Sequence, residues 1–146
     1  MLKLYPSKRN ELELFTEMEK STDVSEFIFS NNLDEHIEQF VHENIIYLTI
    51  VHDSEISGFF ILHLDSDMLS VEFRRIVVSK RGNGIGQMAI TEMETYCSST
   101  LKRKRLWLDV LETNSRGQHI YEKLNFKRFK TSEHSNQTLH FYEKAL

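Results

Sequence analysis

Residues Val71 to Cys97 read VEFRRIVVSKRGNGIGQMAITEMETYC. An apolar run, Ile76 Val77 Val78, leads into a basic glycine-rich turn, Arg81 Gly82 Asn83 Gly84 Ile85 Gly86. Beyond the turn Ile85, Met88, Ala89, Met93, Tyr96 and Cys97 recur at intervals of three and four, the period of a helix with one apolar face. Glycines let the main chain come close to a ligand, and the first turn of a helix leaves several N–H groups unpaired and pointing outward. With the positive end of the helix dipole, these donors form a seat for phosphate. The stretch therefore predicts a strand, a turn and a helix around an anionic, pyrophosphate-bearing ligand.

Spacing separates the kinds of phosphate loop. A P-loop requires Lys then Ser or Thr after its last glycine, whereas Gly86 is followed by Gln87 and Met88. A dinucleotide fingerprint requires G-x-G-x-x-G, and Gly82, Gly84 and Gly86 alternate strictly. The pattern that fits is Arg-x-x-Gly-x-Gly, carried by Arg81, Gly84 and Gly86. Further on, Asn114 is followed by SRGQHIYEKLNF, which contains Tyr121 Glu122 Lys123 Leu124 Asn125 Phe126. With these two landmarks in this order, the chain resembles the GNAT superfamily of N-acetyltransferases from about Asn44 to its end. The first forty residues match only in length and helical character. Three departures stand out. Ser79 Lys80 is a shorter entry to the loop than is usual and lacks the frequent proline, Asn125 replaces a glycine, and Gly117 stands where Ala is common.

Outward from this stretch, alternation and turn residues mark strands at Met1–Tyr5, Ile45–Val51, Ile56–Leu64, Ser70–Ser79, Leu106–Val110, Lys127–Thr131 and Thr138–Tyr142. Helical periodicity marks Glu11–Lys20, Leu33–His42, the segment from Ile85, and Ser115–Leu124; Ser21–Ser30 is ambiguous. Short polar turns such as His52–Glu55 and Asp65–Leu69 join the middle strands into an antiparallel meander, unlike a Rossmann sheet. The last two strands are joined through Ser132–Gln137. The resemblance implies the same architecture: an α+β fold whose largely antiparallel sheet of about seven strands is flanked by about four helices.

At 146 residues and 40% hydrophobic content, one domain over residues 1–146 is the natural expectation. A formal charge of −4 argues against a broad footprint for nucleic acid. The basic run Lys102 Arg103 Lys104 Arg105 reads as a solvated connector, with nucleic acid or the 3′-phosphate of coenzyme A as alternatives. The longest apolar runs are strand-sized and no charged leader with a hydrophobic stretch begins the chain, so a cytoplasmic protein that does not engage membranes is expected. A single cysteine, Cys97, falls on an apolar stripe and reads as a buried spectator. Seven histidines show no zinc-like spacing, so no metal is expected.

The resemblance implies transfer of an acetyl group from acetyl-CoA to a primary amine. Main-chain donors of Arg81, Gly82, Asn83, Gly84, Ile85, Gly86 and Gln87 would hold the pyrophosphate, and amides near Val77 and Val78, on a bulged and splayed strand, would meet the pantetheine. By the same carry-over Asn114 contacts that arm and Tyr121 is the general acid. A phenol near pKa 10 stays protonated at neutral pH and can donate as a thiolate forms. Glu72 stands where several members place a catalytic base; the alternative is a strand Glu paired with Arg74 or Arg75. A member that binds acyl-CoA without transferring the group is the competing expectation, and the oligomeric state is left open, a homodimer being common among relatives. The acids Glu35, Glu38, Asp65 and Asp67 read either as attractors of a cationic acceptor or as solvated surface.

Overall fold

β-Branched and aromatic residues concentrate in the runs that form strands. The computed structural model describes residues 1–21, 30–80 and 84–146, so Arg81, Gly82 and Asn83 lie outside the described residues. The strands are β1 (Leu2–Pro6), β2 (Ile45–His52), β3 (Glu55–Leu64), β4 (Ser70–Val78), β5 (Arg105–Leu111), β6 (Lys127–His134) and β7 (Gln137–Ala145). Four α-helices occur among the described residues: α1 (Leu12–Glu19), α2 (Leu33–Phe40), α3 (Ile85–Ser99) and α4 (Ser115–Lys123). The strands form one sheet in the order β1-β2-β3-β4-β5-β7-β6. Every neighbouring pair is antiparallel except β4 and β5, which α3 joins by a crossover.

Two hairpins are tighter than their sequences suggest. Asp53 and Ser54 (φ 50° and 70°) turn β2 into β3, while Ser135 and Asn136 (φ 51° and 64°) turn β6 into β7. Two consecutive positive φ values match the twist of the flanking strands, and Asp and Asn tolerate them better than most residues. The final strands therefore absorb Ser132 to His134 and Gln137, which their polar character had assigned to a loop.

The sheet is covered differently on its two faces. On one, Ile85, Ala89, Ile90, Met93 and Cys97 of α3 pack against Leu48, Phe60, Leu62, Phe73, Leu106 and Leu108. Cys97 is fully buried there, and burial pushes its thiol up to about 12. On the other, Leu12 and Phe15 pack on Tyr47, Phe59, Ile61 and Val77, with Leu33, Ile37 and Phe40 of α2 alongside. Phe15 stacks on Phe59 at 4.2 Å between ring centroids. On this second face α1 rests on β3 and β4 and α2 on β2. Trp107, Phe129 and Phe141, on the β5-β7-β6 half, belong to neither core.

A buried polar chain ties the two helices to the sheet. Glu19, at the end of α1, faces His36 Nε2 at 2.6 Å and accepts from Arg75 Nη1 at 2.6 Å. A carboxylate only accepts, so Nε2 donates to it, and Nδ1 on the other side of the ring lies 2.6 Å from the Tyr47 hydroxyl. Burial opposes the charge of Glu19, but the His36 hydrogen bond and Arg75 outweigh it, and its pKa is lowered.

Candidate active site

The site is built where β4 and β5 part. They pair only through Ser70–Arg105, Val71–Leu106 and Glu72–Trp107, after which Phe73–Val78 and Leu108–Leu111 diverge. An irregularity helps to open the fork: Ile61 of β3 faces Arg75 while Leu62 faces Phe73, so Arg74 is an extra residue in β4. Ser79 N–H donates to the Ser57 carbonyl beyond the strand's end. Strand alternation then turns the N–H and C=O of Val77 toward β3 and those of Ile76 and Val78 toward the gap. Of the two valines, Val78 thus presents its backbone to the opening, while the Val77 side chain is buried beneath α1.

Two helices begin at the open end of this fork. Gly84 is the N-cap of α3 in a left-handed conformation (φ 71°), and among the described residues no side chain caps the helix and no acid stands in its first turn. A side chain in place of the Gly86 hydrogen would approach Val78 Cγ2 to 3.9 Å, so the helix start adjoins the end of β4. Ile85 is buried, which leaves only its main chain available, and Gln87 is half-buried. Beyond β5, Asn114 is the N-cap of α4, and its Oδ1 accepts from Gly117 N–H at 2.9 Å. A Cβ on Gly117 would fall 2.7 Å from Asn114 Nδ2. The glycine, which from sequence only loosens a helix start, is what allows Asn114 to cap.

Tyr121 of α4 packs edge-on against Phe73, the first β4 residue past the last rung, with ring centroids 5.9 Å apart. Phe126 and Tyr142 complete its surroundings. Tyr121 is half-buried, and its hydroxyl makes no hydrogen bond among the described residues. Burial of the ring, and then the Asp109 carboxylate, push its pKa up to about 12.

Asp109 is the residue that sequence reasoning passed over. Leu106, Leu108 and Val110 point into the core under α3, so alternation turns Trp107 and Asp109 to the opposite face, with Asp109 the first acid beyond the fork. Its side chain is exposed on that face, yet the neighbouring strands desolvate the carboxyl enough to raise its pKa; Glu72 raises it further and Arg74 lowers it. An acid alternating with buried apolar residues was the available signal. Glu72 itself is paired: Arg74 Nη2 donates to Glu72 Oε1 at 2.9 Å and Arg74 Nε donates to the same oxygen at 3.3 Å.

Other charged candidates serve the fold. Arg103 is buried and donates to the Asp65 carbonyl at 2.9 Å, while Arg105 Nε pairs with Glu143 at 2.7 Å. The basic run is thereby split, leaving Lys102 and Lys104 exposed. Asp67 caps the β3–β4 turn through Leu69 and Ser70, Asp65 accepts from Trp107 Nε1 at 2.6 Å, and Glu35 closes the α2 capping box with Asn32. No helix among the described residues is long and apolar enough to cross a membrane.

Known proteins share this fold. The family model described as acetyltransferase (GNAT) family matches residues 10–126. A spermidine N-acetyltransferase variant from Vibrio cholerae superposes with a TM-score of 0.84 at 16% identity, over 99% of this chain and 93% of that one. The aminoglycoside acetyltransferase AAC(6')-Ib in complex with coenzyme A gives a TM-score of 0.86 at 14% identity, over 99% and 95%. The same enzyme with paromomycin and acetyl-CoA gives 0.85 at 14%, over 99% and 93%. At such identities the likeness is one of fold, and no curated protein matches in sequence. The family match spans most of the chain and its fold is that of these enzymes: the chain belongs to the acetyltransferase (GNAT) family.

Proposed function

We propose that this chain transfers an acetyl group from acetyl-CoA to the amine of a small molecule, with Tyr121 as general acid and the carboxylate of Asp109, seconded by Glu72, receiving the amine proton. The observation that carries this reading is the fork itself. Tyr121 lines it from the α3 side, Asp109 stands on the other, and two helix starts open at its mouth.

The chain's features fit the cosubstrate. The first-turn N–H groups of Ile85, Gly86 and Gln87, which no described side chain caps, suit a diphosphate, and the family resemblance adds Arg81, Gly82, Asn83 and Gly84 to that grip. With Oδ1 engaged in its cap, Asn114 offers Nδ2 to the pantetheine arm. The Val78 N–H on the gap side is the donor suited to polarising the thioester carbonyl.

In the step itself, the nitrogen lone pair bonds to the carbonyl carbon and the carbon–sulfur bond breaks, leaving its electron pair on sulfur. Tyr121 gives sulfur its proton and recovers one from water, and the carboxylate passes the nitrogen's proton to water. Asp109 suits that role better than Glu72, whose carboxylate is held by Arg74. The test is free-thiol release from acetyl-CoA across a panel of amines, alongside calorimetric binding of coenzyme A. Thiol release that depends on an amine supports the reading. Binding without release would favour a silent acyl-CoA-binding protein, and the absence of binding would overturn both.

A further inference from the structure

Pairing aligns three side chains in a row across the helix-free half of the second face. Asp109 of β5 lies directly opposite Phe141 of β7, and Phe141 lies directly opposite Lys130 of β6. Directly opposed residues share a face, and neighbouring strands are about 4.8 Å apart, so Asp109 and Lys130 stand roughly 10 Å apart on one surface.

The floor between them is aromatic. Trp107 stacks on Phe141 with ring centroids 6.2 Å apart and planes 23° apart, and Phe129, displaced into the β6 irregularity between Arg128 and Lys130, meets Phe141 edge-on at 6.2 Å. A cavity of about 290 Å³ opens here, lined by Asp65, Arg105, Trp107, Phe129, Lys130 and Phe141. Most of its charges are already engaged. Asp65 accepts from Trp107 and faces His63 Nδ1 at 3.3 Å, and Arg105 pairs with Glu143. Lys130 holds its ammonium 4.9 Å from the Phe141 ring centroid and has no ion-pair partner among the described residues. Asp109, at the far end of the row and outside the lining of this cavity, likewise has none among the described residues.

Resting on the transferase reading above, we propose that this surface is the acceptor site and that it selects an amine carrying a carboxylate on a flat apolar body. The amino group would lie at Asp109 beside the fork, its ammonium form giving a first proton to the carboxylate, and through it to water, before attack, with the body on Trp107 and Phe141 and the substrate's own carboxylate against Lys130. A polyamine laid along the same row would bring a second positive charge to Lys130, and like charges at that spacing discriminate against it. This acceptor class differs from the polycations named for the structurally similar spermidine and aminoglycoside enzymes.

The probes are para-(aminomethyl)benzoate, its methyl ester, and spermidine. Calorimetry on the coenzyme A-bound protein should show the carboxylate binding at least about tenfold more tightly than the ester and more tightly than spermidine. Lys130→Glu should abolish that preference and Lys130→Ala should reduce it, with thermal melts confirming that both variants fold. Equal affinity for acid and ester, tighter binding of spermidine, or a preference that survives Lys130→Glu would each overturn the proposal. Thiol release judges the transferase reading separately. If the ester and the acid are acetylated equally well, the enzyme stands and this acceptor class falls. Selective binding of the acid without thiol release keeps the site and removes the transferase.

Discussion

At the level of single residues, the duties proposed for Tyr121 and Asp109 are separable. Tyr121→Phe keeps the ring that packs on Phe73, Phe126 and Tyr142 and removes only the proton. The expected outcome is a kcat at least tenfold lower with coenzyme A affinity unchanged, the pattern of an interaction used only in the transition state. Because the Tyr121 pKa is pushed up to about 12, the phenol stays protonated through any practical assay range and gives no alkaline limb below that value. Asp109 behaves in the opposite sense. Its pKa is raised, so in the proposed role it takes up a proton as pH falls and stops accepting one from the amine at a higher pH than an ordinary aspartate would. The rate profile should therefore rise with pH on its acidic side, and Asp109→Asn should flatten that rise while lowering kcat/KM. An unchanged acidic limb in Asp109→Asn would assign the base elsewhere.

Among the elements, the closest approach near the site is between β3 and β4. Gly58 lies opposite Val78, and a Cβ built on it would fall 2.0 Å from the Val77 carbonyl oxygen, a main-chain atom held in the sheet. Gly58→Ala must force the two strands apart, at a cost of about 3 kcal/mol, at the upper end for overpacking in a well-packed interior. Because Val78 borders the gap, the same displacement should weaken coenzyme A binding. A melt within a degree of wild type would mean that the strands separate freely. Helix starts follow the same logic: α2 is fixed by the Asn32 and Glu35 capping box, whereas no described side chain caps α3, in keeping with the proposed use of its first donors by a ligand.

Across the whole molecule, stability converges on Glu19, which joins α1, α2, β2 and β4 through His36, Tyr47 and Arg75. Removing one partner from a buried charged network strands the others, so Glu19→Gln should cost about 3 kcal/mol in chemical denaturation. The sign with pH follows from the lowered pKa of Glu19. Its contribution is complete above the pKa of an unfolded glutamate, about 4.3, and is lost as pH falls through the lower folded value. Acid unfolding of the wild-type protein should steepen below that point, and Glu19→Gln should remove much of the steepening. The network was not legible in the sequence. Residues 19, 36, 47 and 75 are far apart in the chain, and no local period marks a Glu, a His, a Tyr and an Arg that meet only when two helices close over a sheet.

The sequence by itself determined the elements and their family, because glycine spacing, helical period and strand alternation are local consequences of backbone sterics and of one-sided burial. The Arg-x-x-Gly-x-Gly turn and the tract from Asn114 to Phe126 could be read without coordinates. Asn125, at φ 73°, keeps the left-handed turn that the family's usual glycine would make. Only the tertiary structure decided which carboxylate is held and which is available, since Glu72 and Asp109 look alike as strand acids until Arg74 is seen to engage the first. It also decided that Asp109, Phe141 and Lys130 form one row. Strand order and register are settled by long-range pairing, whose energetics no single segment of the chain contains.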